Sequence, residues 1–224
     1  MNIPPAMKVT DFSGPGGGAP ALERDADRVA VVGLRVFLAV VTSLFFLFTT
    51  AYVLRSQIAD WQPLSDQWQP LFDQSQLWVN TAFLVLGSLA LQWAKVAARR
   101  GDAAHTLIGF SLGGLFALAF LGGQLWLWTQ MRSWGYGVAG NPANSFFYLL
   151  TGLHGLHLLG GVVAWSRTAR ALWCGRTPPN LPVRIGLCAT YWHYLLGLWL
   201  FLFALLVSTP ETYKAIAAFC GISL

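Results

Sequence analysis

Charged residues are scarce in this chain, at 10% of the sequence, whereas hydrophobic residues make up 55%. Soluble domains carry about 25% charged residues, so this composition excludes an ordinary soluble protein and indicates a membrane protein. The three cysteines (Cys174, Cys188 and Cys220) form no C-x-x-C spacing and give no signature of a zinc site or an attached haem. The net charge of +5 comes from basic residues between apolar runs, which fits a membrane surface and not nucleic acid.

Segments of short alternating hydrophobicity, as in a membrane β-barrel, are also lacking. Five apolar stretches instead reach the length of about 20 residues that a helix needs to cross the hydrocarbon core. We therefore predict an all-α integral membrane protein, a bundle of five transmembrane helices. The predicted spans are 31–54, 77–97, 107–130, 146–169 and 185–207.

The domain organisation follows from these spans. Residues 1–28 are rich in proline and glycine and lack the apolar core of a signal peptide, which predicts a flexible cytoplasmic tail. The membrane domain is predicted at 29–210, and a short periplasmic segment at 211–224.

The loops alternate in charge. All but three of the 14 lysines and arginines fall on one side of the predicted membrane, and the exceptions are Arg55, Arg132 and Lys214. The positive-inside rule then predicts a cytoplasmic N-terminus and a periplasmic C-terminus. Basic side chains at the cytoplasmic helix ends could also attract anionic lipid headgroups, each contributing about 1 kcal/mol, although the topology rule alone would account for them. These residues are Arg35, Lys95, Arg99, Arg100 and Arg184.

Carboxylates are missing from all five predicted spans. Ion-coupled transporters and proton pumps keep an intramembrane acid for the ion or proton, so a small transporter is disfavoured. The third predicted helix instead carries Gly109, Gly113 and Ala117 at four-residue spacing, which predicts close helix packing.

Three of the four histidines lie inside apolar runs, where an imidazole is costly without a partner. They occur in two short motifs, T-G-L-H-G-L-H at 151–157 and Y-W-H-Y at 191–194. His154 and His157 share one helix face, whereas His193 lies at another depth, which disfavours one shared metal site. We expect hydrogen bonds to a neighbouring helix or a headgroup; axial haem ligation by His157 and His193 is the alternative.

The two motifs resemble the T-G-x-H-G-x-H and Y-W-H-[FY] signatures of the cytochrome c oxidase subunit III family. The segments 77–81 (L-W-V-N-T), 121–124 (L-G-G-Q) and 198–201 (L-W-L-F) are similar to further family segments, in the same order over roughly residues 30–208. Five helices correspond to the short bacterial form of this subunit. The motif residues singled out are Gln124, Thr151, His154, Gly155, His157, Tyr191, Trp192 and His193.

The resemblance implies an accessory subunit in the bacterial inner membrane, bound to the haem-copper catalytic subunit I and to other oxidase subunits. It implies no catalytic residue, metal or redox cofactor in this chain, with haem and copper in the partner subunits and phospholipid as the expected ligand. The equivalent subunit of a quinol oxidase or of a nitric oxide reductase is the closest alternative. The family often carries an acid where this chain has Val41, Leu127, Gly186 and Leu196, so we expect a role in packing and lipid holding instead of proton relay.

Overall fold

The computed structural model describes residues 18–58, 60–62, 64, 74–175, 180–208 and 212. Within that part of the chain all regular structure is helical, and each of the five helices is long and apolar enough to cross a membrane. The predicted five-helix architecture is therefore confirmed. The helices are α1 (Gly18–Arg55), α2 (Ser75–Arg99), α3 (Ala103–Ser133), α4 (Pro142–Trp173) and α5 (Leu181–Val207).

Capping residues explain where the helices begin and end. The Asp102 side chain accepts a hydrogen bond from the backbone N–H of His105 at the start of α3, which lowers the pKa of that carboxyl. Asn141 caps α4 in the same way, just before a proline that cannot donate a backbone hydrogen bond. Glycines with positive φ follow α2, α3 and α4, because the left-handed conformation that ends a helix is open to glycine. They are Gly101, Gly135 and Gly175.

The first helix begins earlier than predicted. We expected a flexible tail over residues 1–28, but α1 already begins at Gly18. Residues 21–30 are rich in alanine, leucine, glutamate and arginine, which favour helix, and they run without a break into the apolar span. The side-chain amide of Asn180 donates to the Asp27 carboxylate (3.3 Å) and ties this extension to α5. The rest of the predicted tail and nearly all of the segment 211–224 lie outside the described residues.

Four helices form a ring, and the first lies against its outside. α2 packs on α3, α3 on α4, α4 on α5 and α5 on α2, whereas α1 packs mainly on α4 and α5. Only 11% of the most apolar stretch of α1 is buried, against 39–44% of the corresponding stretches in the other four helices. The aromatic rings of Phe110, Phe120, Phe147, Trp192 and Trp199 fill the interior of the ring. Thus α1 exposes most of its surface to lipid or to a partner.

The contact between α2 and α3 depends on the small residues that the sequence singled out. A β-carbon at Gly109 would lie only 3.0 Å from the Ala90 carbonyl oxygen, and one at Gly113 would lie 2.5 Å from the Leu91 side chain. Because backbone meets backbone at Gly109, any side chain there would push the helices apart. The predicted close packing along this face is confirmed.

Candidate functional site

His154 is enclosed by aromatic rings in the centre of the bundle. Its side chain is fully buried, 5.3 Å from the Trp199 ring and 5.8 Å from the Phe120 ring between centroids. Neither ring nitrogen has a hydrogen-bond partner within the described part of the chain. The expectation of a hydrogen-bonded histidine is therefore wrong here. The indole Nε1 of the neighbouring Trp199 donates to Thr81 Oγ1 (2.9 Å) and not to His154.

His157 lies one turn further along α4 and faces α1. Its Nδ1 donates to the carbonyl of Leu153 in its own helix (2.8 Å), while its ring packs 5.6 Å from Phe45 and 6.2 Å from Phe37. The hydroxyl of Tyr191 donates to the backbone carbonyl of His157 (2.8 Å). The tie between α4 and α5 therefore runs through the tyrosine and the backbone, whereas the imidazole itself bonds its own helix.

His193 is bonded to a neighbouring helix. Its Nδ1 accepts from the hydroxyl of Ser88, and its Nε2 donates to Oε1 of Gln92 (3.2 Å), both on α2. Lys95 lies one turn beyond Gln92 on the same helix. The ring thus joins α5 to α2 and uses both of its nitrogens to do so.

The structure does not bring the three imidazoles together as one ligand set. His157 faces α1 and His193 faces α2, so the pair considered for axial haem ligation lies on different sides of the bundle. Among the described residues, no group of three or more histidines, cysteines or carboxylates is arranged to hold a metal ion.

Another set of buried polar side chains lies closer to the α2 N-terminus than Ser88 and Gln92, the partners of His193. Asn80 donates to Gln124 Oε1 (3.4 Å), and its own oxygen would lie 2.2 Å from a β-carbon at Gly123. Thr151 accepts from Trp128 Nε1 (3.2 Å) and donates to the backbone of its own helix. Asn80 and Thr81 belong to the family-like segment 77–81, but neither was predicted from the sequence to be a site residue.

The other two motif residues differ in how tightly they pack. Trp192 is almost fully buried, with its indole nitrogen unpartnered within the described chain. A β-carbon at Gly155 would lie 3.8 Å from Leu121, which is an ordinary van der Waals distance, so packing does not require a glycine at this position. Val41 and Leu127 are buried in the apolar core. The positions at which the resemblance implied acids in α1 and α3 are therefore well packed without them.

The five basic residues that we expected near lipid headgroups separate into groups. Three of them line one cavity of about 330 Å³ between α1, α2 and α5. Arg184 lines a different cavity of about 410 Å³ between α1, α4 and α5, and Arg100 lines neither. The three that share a cavity are Arg35, Lys95 and Arg99.

The family model and the curated relatives that match this chain carry the same description. Residues 25–208 match the family model described as cytochrome c oxidase subunit III. The chain is 28% identical over 182 residues to cytochrome c oxidase subunit 3 of Thermostichus vulcanus, covering 79% of this chain and 85% of that protein. It is 27% identical over 178 residues to cytochrome c oxidase subunit 3 of Synechocystis sp., covering 77% and 72%.

Another set of relatives matches a shorter part of the chain. The probable cytochrome c oxidase subunit 3 of Mycobacterium tuberculosis is 29% identical over 126 residues, which is 56% of this chain and 62% of that protein. The family match takes in the apolar part of every one of the five helices described above. The chain therefore belongs to the cytochrome c oxidase subunit III family, as a multi-pass membrane protein.

Proposed function

We propose that this chain is the accessory subunit III of a bacterial haem-copper terminal oxidase, in a complex with other oxidase subunits. It binds the catalytic subunit I and stabilises it while that subunit reduces oxygen and pumps protons. The observation that carries this proposal is the family match over residues 25–208, which includes all five membrane-spanning segments. Haem and copper belong to the partner subunits, and this chain holds no redox cofactor.

The chemistry of the bundle supports a subunit without redox chemistry. Axial ligation of haem iron requires an imidazole nitrogen that is free to bind the metal. Both nitrogens of His193 are engaged by α2, so this side chain has none free for a metal. His157 faces α1, on a different side of the bundle, so the two histidines do not face one shared iron site. Buried Val41 and Leu127 in turn support packing over proton relay, because an aliphatic side chain has no proton to transfer.

The distribution of charge supports the cellular location that we assign. We assign the protein to the bacterial cytoplasmic membrane, with the α2–α3 and α4–α5 loops in the cytoplasm. Basic residues cluster at the helix ends next to those two loops and are nearly absent from the opposite ends. Catalytic subunit I then meets this chain within the membrane, along the exposed apolar helix faces.

Purification of the native complex tests the function. An affinity tag on this chain, expressed in its aerobic host, should bring down a haem-copper polypeptide in mild detergent, together with oxygen-reducing activity. A tagged membrane protein of unrelated family from the same host serves as the control. The chain expressed alone should show no Soret absorbance.

Two outcomes would contradict the proposal. The first is a preparation of intact chain that carries no haem-copper polypeptide although the oxidase is present in the same membranes. The second is a Soret band from the isolated chain at about one haem per polypeptide, which would favour ligation by its own histidines.

A further inference from the structure

Each helix of the ring contributes a polar group to the centre of the bundle. Asn80 and Thr81 come from α2, Gln124 from α3 and His154 from α4, and none of these side chains is more than 4% exposed. The fourth helix, α5, adds the indole of Trp199, which donates to Thr81 Oγ1 (2.9 Å). A buried polar group costs free energy unless it is hydrogen-bonded, so each of these groups needs a partner inside the bundle.

Two of these side chains keep unused hydrogen-bonding atoms. Oε1 of Gln124 accepts from Asn80 (3.4 Å), but Nε2 of Gln124 has no partner in the described part of the chain. Both ring nitrogens of His154 are unpartnered there as well. Thr81, in contrast, donates to its own helix and accepts from Trp199. An amide nitrogen offers only donors, whereas a neutral imidazole offers one donor and one acceptor.

The contacts between α3 and α4 place Gln124 beside His154. Phe120 precedes Gln124 by one turn, and its ring centroid lies 5.8 Å from that of His154. Trp128 follows Gln124 by one turn, and its Nε1 donates to Oγ1 of Thr151, one turn before His154 (3.2 Å). Residues four apart share a helix face, so Gln124 lies on the face of α3 that meets α4, between these two contacts. The unused amide and the unused imidazole therefore lie in one region of the core, although neither bonds the other.

We propose that this region binds a cluster of about one or two water molecules, which bridges Nε2 of Gln124 and the imidazole of His154. A water molecule accepts from the amide N–H and donates to the unprotonated ring nitrogen, so one molecule satisfies both groups. The remaining ring N–H donates to a second water. The neighbouring polar side chains of Asn80, Thr81 and Thr151 are uncharged, so a bound ion would lack a partner of opposite charge. The ligand that fits is therefore neutral, and both donates and accepts hydrogen bonds.

The bridge adds His154 to a hydrogen-bonded network that joins the helices of the ring. The bond from Asn80 to Gln124 ties α2 to α3, and the bond from Trp199 to Thr81 ties α5 to α2. Among the described residues, the imidazole of His154 itself makes only ring contacts, with Phe120 and Trp199. The water gives this first histidine of the T-G-L-H-G-L-H motif a polar role that no direct contact supplies. This role does not depend on the identity of any partner subunit.

A density map of the unmodified protein tests the proposal directly. The full-length chain is imaged with whichever subunits accompany it, at a resolution that shows ordered waters inside the membrane domain. A water peak should lie within hydrogen-bond distance, about 2.7–3.2 Å, of both Nε2 of Gln124 and a ring nitrogen of His154. A map that resolves other internal waters but none at this position would overturn the proposal, as would a direct bond between the two side chains.

A double-mutant cycle supplies a second, energetic test. His154→Phe keeps an aromatic ring but removes both nitrogens, and Gln124→Leu removes the amide. Each variant should lower the unfolding midpoint, and the double variant should unfold at about the midpoint of the less stable single variant, because either change alone already removes the bridge. The matched control combines Gln124→Leu with His193→Phe, whose effects should add because His193 bonds Ser88 and Gln92. Additive losses in both pairs, or a midpoint raised by His154→Phe, would contradict the water bridge.

Discussion

His154, His157 and His193 carry the same side chain, and the bundle gives each one a different environment. His154 meets two aromatic rings and no polar partner, His157 bonds its own helix, and His193 bonds two side chains of α2. The difference arises because the neighbouring helices place different side chains next to each imidazole. The buried His154 has no hydrogen-bond partner among the described residues, whereas the part-buried His157 and the exposed His193 are hydrogen-bonded, so the three should respond differently to substitution.

Leucine substitutions separate these environments. His193→Leu removes both bonds to α2 and leaves the buried hydroxyl of Ser88 without its partner, which should destabilise the protein by about 1–2 kcal/mol. His154→Leu removes no hydrogen bond to another described residue, so its cost should be smaller. The measurement is the thermal unfolding midpoint of the purified protein in mild detergent. A larger loss from His154→Leu than from His193→Leu would contradict the bonding pattern described here.

Sequence alone located the histidines but could not assign their partners. Two residues of one helix three positions apart share a face, and this was readable for His154 and His157. Which side chain of another helix comes opposite depends on the axial shift and rotation of that helix, and neither is encoded in a local pattern. The same reason explains why the basic residues could be assigned to one membrane side, while the convergence of Arg35 with Lys95 and Arg99 required the structure.

At the scale of helices, hydropathy predicted which segments are helical but underestimated their length. The predicted span 107–130 became Ala103–Ser133, and 146–169 became Pro142–Trp173. Hydropathy follows the thickness of the hydrocarbon core, whereas a helix continues through the interface until a capping residue ends it. The capping residues Asp102 and Asn141 and the glycines after the helices are visible in the sequence. Hydropathy together with these capping signals therefore predicts the helix ends.

The contact between α2 and α3 gives a prediction with an internal control. Gly109→Ala places a methyl group 3.0 Å from the Ala90 carbonyl and 3.1 Å from the Ala94 nitrogen, so the helices must separate. We expect a loss of about 1–3 kcal/mol, which overpacking commonly costs. Gly122→Ala, in the same helix, meets nothing within 4 Å and should be neutral or stabilising through its higher helix propensity. Equal unfolding midpoints for the two variants would show that the close approach of α2 and α3 at Gly109 does not contribute to stability.

At the scale of the whole molecule, the orientation in the membrane is a prediction from charge. Single cysteines at Gln62 and at Arg100 test it, because both residues are exposed and lie in the α1–α2 and α2–α3 connections. The three natural cysteines are first replaced by serine, so that a membrane-impermeant thiol reagent reports on one site at a time. In intact cells the reagent should modify the cysteine at position 62 and spare the one at position 100 until the membrane is opened. Modification of both in intact cells would contradict the positive-inside orientation.

The composition of the bundle also predicts how the oxidase behaves when this chain is removed. If this chain contributes packing and bound lipid, the catalytic subunit should keep its haems and most of its initial oxygen reduction when the gene for this chain is deleted. The loss should develop with turnover, as progressive inactivation or a lower unfolding temperature, because a supporting surface and its lipid are missing while the redox centres are intact. The measurements are the haem spectrum and the time course of oxygen consumption in the purified complex. Restoring the unmodified gene should restore the time course. Immediate and complete loss of oxygen reduction, with the catalytic subunit folded and fully loaded with haem, would mean that this chain takes a direct part in the chemistry.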